Sequence, residues 1–263
     1  MTEECRACGA TPEPFAEGVV LTDVTVTYVR CPSCGMVQAV EPTWLDRAYS
    51  SAIARLDVGL LDRCVVLSHV TSALLRTERL RGGTFLDWAG GYGTLTRLMR
   101  DRGFAFEHFD PLAENIFAPD HQAPSLEGSR YDLVTGFEVL EHLVDPVASL
   151  APVAATTDRL LMSTRLLPDP APKPDEWDYY TPETGQHITF FTPEALRALA
   201  ERLGYDGVVV GDLVHLFHRG PVSRSTQRLV RSVKVAYMAG LAASVPDRRH
   251  SLLQRDVDAL KTG

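Results

Sequence analysis

Residues 85–111, FLDWAGGYGTLTRLMRDRGFAFEHFDP, limit the possible folds more than any other stretch. Phe85–Trp88 is an apolar strand interrupted by one acid, Asp87. A turn with Gly90, Gly91 and Gly93 follows, and then a helix with Leu95, Leu98 and Met99 on one face and Gly103 as its stop. A second strand, Ala105–Phe109, ends in Asp110. This strand–loop–helix–strand order suits a nucleoside. The glycines let the backbone approach the ligand, and the second acid can take a pair of ribose hydroxyls.

The spacing chooses between cofactor types. A dinucleotide site needs G-x-G-x-x-G, with a pyrophosphate on the helix N-terminus. The chain instead has Asp87-x-Ala89-x-Gly91-x-Gly93, with the acid ahead of the glycines. That pattern resembles motif I of the class I S-adenosylmethionine-dependent methyltransferases. Ala89 replaces the family's first glycine, and a methyl group there requires an ordinary backbone torsion. Two further segments resemble the same family in the same order. Tyr131–Pro146, YDLVTGFEVLEHLVDP, is similar to its fourth-strand region. Trp177–Phe191, WDYYTPETGQHITFF, is similar to the substrate-side insert of bacterial sugar and polysaccharide methyltransferases.

The resemblance implies a Rossmann-like α/β fold, a seven-stranded mostly parallel sheet between helices. It implies S-adenosylmethionine held by Asp87, Ala89, Gly90, Gly91, Tyr92, Gly93, Asp110, Phe137 and Glu138, and methyl transfer to a sugar, nucleotide-sugar or related small metabolite, with oxygen as the favoured acceptor. A hydroxyl acceptor must lose its proton as the bond forms, so a base is needed. His187 matches by position the histidine that serves in related sugar methyltransferases, with Gln186 where relatives often carry an acid. The plainer reading is that His187 only binds substrate or caps the next helix. Glu138 and His142 are the other catalytic candidates. Glu138, Glu141 and His142 form E-x-x-E-H, which in some relatives binds magnesium or another divalent ion. The alternative is that Glu138 lines the pocket while Glu141 and His142 make helix-start hydrogen bonds. Trp177, Tyr179 and Tyr180 either stack on a substrate ring or pack a lid rich in proline between 166 and 182.

Cys5-x2-Cys8 and Cys31-x2-Cys34 are two knuckles, each followed by glycine, and the β-branched run Val19–Val29 between them suits a hairpin. Four thiolates at this spacing predict a closed structural zinc site, which staples a segment too small for its own core. Cys64 lies in an apolar helical run and reads as a core thiol.

The expected units are a zinc ribbon over 1–43, a methyltransferase domain over 44–220 and a basic helical tail over 221–263. Trp44 to Arg81 reads as helix. The net charge of -8 argues against nucleic acid as a partner. The tail reverses that sign, with nine Lys and Arg against three Asp from Arg219 onward. Its helix, residues 221–245, either packs on the domain, pairs two copies, or lies on a membrane surface. No apolar run is long enough to span a membrane and the first residues are acidic, so the expected location is the cytoplasm. Two other functions remain open: an RNA or protein methyltransferase that uses the ribbon for recognition, and a non-catalytic cofactor-binding protein.

Overall fold

The computed structural model describes residues 4–49, 57–248 and 250–262. Its centre is a six-stranded sheet built from β4 (Thr84–Trp88), β5 (Ala105–Phe109), β6 (Leu133–Gly136), β7 (Arg159–Ser163), β9 (Gly207–Val210) and β10 (Val214–His218). The strand order is β5-β4-β6-β7-β10-β9. β4, β5, β6 and β7 run parallel, and β10 pairs antiparallel with β7 and β9. The order reverses at β4, so a crevice opens beyond the carboxyl ends of β4 and β6.

Six strands stand where seven were expected. The missing one would lie beyond β5. There the chain makes only a single parallel bridge, His108 to Gln122. Pro111, Pro119 and Pro124 interrupt that stretch. It folds back over the glycine turn instead, with the Ile116 and Phe117 amides donating to the Tyr92 carbonyl at 3.1 and 3.0 Å.

Side chains alternate along the strands and so feed two cores. Phe85, Leu133, Leu161 and Leu216 face α2 (Leu60–Thr77), α3 (Thr94–Asp101), α6 (Arg224–Arg231) and α7 (Val233–Arg248). Leu86, Val134, Leu160, Met162 and Phe217 face α4 (Pro146–Ala154) and α5 (Pro193–Arg202). α4 runs through Pro152 rather than ending at it. The helix expected from Trp44 onward is in fact a short α1 (Leu45–Ala48) and then α2, and the link over 50–56 lies outside the described residues. Cys64 is half-buried on α2, and burial pushes its thiol up to about 12.

The N-terminal segment forms a second sheet, β1 (Glu13–Val20), β2 (Val24–Arg30) and β3 (Val37–Ala39), antiparallel throughout. Its fourth strand, β8 (Thr189–Phe190), comes from far along the chain and pairs Val37 with Phe190 and Gln38 with Thr189. An aromatic core lies under this sheet, with Tyr28 5.2 Å from Tyr180 and Tyr180 4.2 Å from Phe190, centre to centre. Tyr179 and Tyr180 are therefore buried packing residues.

The tail is three helices, since Ser232 takes an extended torsion between α6 and α7, and α8 (Leu253–Thr262) follows. Val230 and Ala236 are buried against α2 and the sheet. Gly240 lies so close to α2 that a Cβ there would sit 2.0 Å from the His69 carbonyl. Two acids pin the tail down. Asp247, fully buried, takes Ser72, Arg76 and Arg81. Asp256 takes Arg100 at 2.6 Å and Arg97 at 2.9 Å. Among the described residues no helix is long and apolar enough to cross a membrane.

Candidate active site and metal centre

The glycine turn after β4 is built from beneath. Asp87 is only 2% exposed and accepts from Thr96 Oγ1 at 3.1 Å and Thr135 Oγ1 at 3.0 Å. Burial is the main reason its carboxyl is raised from 3.8 to about 6. Gly90 has no room for a side chain, since a Cβ would meet Asp87 Oδ2 at 2.5 Å. His108, fully buried on β5, reaches the Gly91 carbonyl with Nε2 at 2.9 Å and Gln122 with Nδ1 at 2.9 Å. Sequence reasoning missed His108. The signal was an inward position on β5 one residue before the strand end.

Asp110 stands at the rim. Its Oδ2 accepts from the Gly91 amide at 2.9 Å, and its Oδ1 from the Leu112 and Ala113 amides at 2.7 and 3.0 Å. Gly91 and Gly93 have φ of 57° and 79°. Ala89 has φ of 54°, so the ordinary torsion its methyl seemed to require is not what it adopts. Glu138, just past β6 on the neighbouring parallel strand, has the same φ of 54°. Left-handed backbone costs a non-glycine residue about 1 kcal/mol or more, and it collects at functional sites. Here two such residues lie side by side at the mouth of the crevice. Tyr92 and Phe137 are half-buried around it.

The second half of the site lies after β6. Glu138 turns aside: Ser163 Oγ donates to its Oε1 at 2.6 Å, and Arg63 Nε lies 3.6 Å from its Oε2. Burial, and then the charge of Glu141, push Glu138 up to about 7. The E-x-x-E-H trio expected from sequence is not the set that converges. The trio that does is Glu141, His142 and His187, each offering one ligand atom within 4.8 Å of the others.

Glu141 has no exposed surface. Its Oε1 accepts from Tyr179 OH at 2.7 Å, and its Oε2 has no hydrogen-bond partner. His142 Nδ1 lies 3.1 Å from the Gln186 carbonyl and 2.9 Å from Tyr49 OH. His187 Nδ1 lies 2.7 Å from the Tyr179 carbonyl. A carbonyl only accepts, so each Nδ1 carries a proton, and a neutral ring then keeps its lone pair on Nε2. Burial pushes His187 down to about 3, with His142 adding to the effect, so the ring is neutral at pH 7. Its imidazole and that of His142 meet edge-on, 4.8 Å between centres.

The four N-terminal cysteines also converge, their sulfurs all within 4.8 Å of one another. Cys5 and Cys34 Sγ are 3.5 Å apart, Cys8 and Cys31 Sγ 3.4 Å. Those separations are too long for disulfides and close to the ~3.8 Å edge of a tetrahedron with Zn–S of ~2.3 Å. The two knuckles are built alike. Gly9 N donates to Cys5 O and Gly35 N to Cys31 O, both at 2.8 Å. Thr192 links this cluster to α5, donating to the Cys34 carbonyl while capping Ala195 N at 3.0 Å.

A family model described as a methyltransferase domain matches residues 63–210, more than half of the chain. No protein of curated function is significantly similar to it. Similar solved structures include magnesium protoporphyrin IX methyltransferase from Synechocystis PCC 6803 with bound SAM. It is 18% identical with a TM-score of 0.43, covering 68% of this chain and 90% of that one. Another is an O-methyltransferase family protein from Burkholderia thailandensis, 18% identical with a TM-score of 0.46, covering 69% of this chain and 68% of that one. A third is the N-terminal domain of EvdMO1 in the presence of SAH and D-fucose, 15% identical with a TM-score of 0.42, covering 58% of this chain and 83% of that one.

Proposed function

The chain belongs to the methyltransferase-domain family, and from that premise we propose that it is a class I S-adenosylmethionine-dependent enzyme that methylates a hydroxyl of a sugar, nucleotide-sugar or similar small metabolite. The observation that carries the reading is the meeting of Glu141, His142 and His187 just after β6, the strand paired with the β4 that leads into the glycine turn, since a hydroxyl acceptor needs a proton acceptor where the methyl arrives. The glycine turn receives the cofactor, and the remaining lone pair of Asp110 Oδ2 takes a ribose hydroxyl. Asp87 acts from below, by setting the shape of the turn through Thr96 and Thr135.

His187 Nε2 is the base. The ring is neutral, with its proton on Nδ1, and it belongs to the same close cluster as His142 and Glu141. Most of the acceleration comes from in-line positioning of acceptor and methyl.

The same residues fit a divalent ion, on the evidence of the orphaned Glu141 Oε2 and of two imidazoles that each bring a ligand nitrogen within 4.8 Å of a Glu141 oxygen and of each other. Two imidazoles and one carboxylate suit manganese, iron, cobalt or zinc better than magnesium, which prefers oxygen. When bound, such an ion would lower the pKa of the acceptor hydroxyl. Structural zinc on Cys5, Cys8, Cys31 and Cys34 is a separate site with no open position.

The test uses the whole protein, S-adenosylmethionine and a panel of dTDP-, UDP- and GDP-hexoses, read as S-adenosylhomocysteine release. Calorimetry should show cofactor binding that Asp110→Ala weakens by about 1–3 kcal/mol. His187→Ala should lower turnover by about 10²–10⁴-fold with cofactor affinity unchanged. Activity lost to a chelator while the ribbon keeps its zinc, and restored by manganese, would place the ion in the reaction. Tight NAD binding, or full activity in His187→Ala, would sink the proposal.

A further inference from the structure

A run of hydrogen bonds fastens the N-terminal segment to one strip, residues 182–192. Leu21 N donates to Pro182 O at 2.9 Å, and Trp44 Nε1 to Gly185 O at 2.8 Å. Gln186 Nε2 donates to Ala48 O at 2.9 Å, and Ala39 N to Ile188 O at 2.8 Å. β3 then pairs with β8 at Thr189 and Phe190. The strip's other edge is fastened to the turn that carries Glu141 and His142. Ile188 N donates to Glu141 O at 2.8 Å, and Thr189 Oγ1 to Leu140 O at 2.8 Å.

His187 sits in the middle of this strip. Its neighbours Gln186 and Ile188 are both held from the N-terminal side, and the six-stranded sheet has no strand paired to it. His142 is held from the same side. Tyr49, at the end of α1, puts its hydroxyl against His142 Nδ1, and the Gln186 carbonyl fixes the proton on that nitrogen. Gln186 does not face His187 with its side chain. It reaches back to α1 instead.

We infer that the N-terminal sheet and α1 form a clamp that sets the orientation and tautomer of His142 and His187, with Tyr49 and Gln186 as positioning residues. The inference rests on the proposed role of that histidine pair. It gives the cysteine-bearing segment a job inside the reaction, where a module for recognising RNA or protein would leave the strip free of it. The cysteine cluster stiffens the clamp through Cys34, whose carbonyl holds Thr192 two residues past β8.

Two variants test it with little change of volume: Tyr49→Phe and Gln186→Leu. Imidazole nitrogen shifts of His142 and His187 are read by long-range ¹H–¹⁵N NMR on the intact protein saturated with S-adenosylhomocysteine. Wild type should show a proton on Nδ1 of both rings. Tyr49→Phe should move the His142 signals, and Gln186→Leu those of both rings. Turnover on the nucleotide-hexose panel should fall by about 10- to 100-fold, as when a group orienting a functional histidine is removed. Zinc content and cofactor affinity should stay as in wild type. Cys31→Ser should disturb the same ring signals from a distance. Ring signals unmoved in both point variants overturn the clamp whatever the activity. Moved signals with wild-type turnover, while His187→Ala is inactive, also overturn it. Moved signals with a fully active His187→Ala uphold the clamp and overturn the proposed base.

Discussion

Replacing Asp87 with asparagine should make the protein more stable at neutral pH, and the gain should depend on pH in a fixed way. Asp87 is fully buried, and burial is the largest cause of its rise from 3.8 to about 6. An acid raised in the folded state favours folding relative to its ionised form when it is protonated. Its contribution is therefore intact below 3.8 and is lost as pH climbs through about 6. A shift of about 2 units costs the wild type about 3 kcal/mol at pH 8, and about half of that is already lost at pH 5. No discount for solvent screening applies to so buried a group. Asparagine keeps the shape and can still accept from Thr96 or Thr135, so it removes the charge and little else. Urea unfolding of the cofactor-free protein at pH 5 and pH 7.5 supplies the measurement. Only the difference between variant and wild type is read, which cancels the other titrating groups. That difference should favour Asp87→Asn and widen by about 1–1.5 kcal/mol between the two pH values. A variant that is less stable, by a gap growing with pH, would show that the turn needs the anion and refute the reasoning.

Three further outcomes are expected. Purified protein should carry about one zinc per chain in the cysteine cluster, and Cys31→Ser should lose most of it by metal analysis. Gly90→Ala should weaken cofactor binding in calorimetry and lower stability by about 1–3 kcal/mol, because the new methyl meets Asp87 Oδ2 at 2.5 Å and His108 Cδ2 at 2.9 Å. Asp247→Asn should cost about 1–2 kcal/mol in urea unfolding, since it loses the ionic hold of Arg76 and Arg81, each about one-third exposed.

What the sequence revealed was local. The turn of Gly90, Gly91 and Gly93 and the two cysteine knuckles each lie within a few residues, where spacing fixes geometry. The site itself was half legible. Glu141, His142 and His187 were all marked, but in two rival groups, because a motif links neighbours in sequence while the fold brings His187 to Glu141 across the Ile188–Glu141 hydrogen bond. The torsion at Ala89 was misjudged, since a left-handed alanine can be held by the ladder bond from its amide to Phe109 O at 2.7 Å. Asp247 looked like one acid in a basic tail. Its arginines lie on and just after α2, and nothing in the tail points to them.

The pairing of β3 with β8 also bears on how the chain is made. Val37 finds its partner at Phe190, about 150 residues later. At a synthesis rate of about 5–20 residues per second, the N-terminal hairpin waits about 10–30 s for its last strand. In that interval β3 is an open edge, and the aromatic face of Tyr28 lacks Tyr180 and Phe190. The early cysteine knuckles need only Cys5 to Cys34, so metal capture can lock the hairpin long before its neighbour emerges. Cells short of zinc should accordingly accumulate this protein as aggregate formed during translation, and protein that has already folded should be spared.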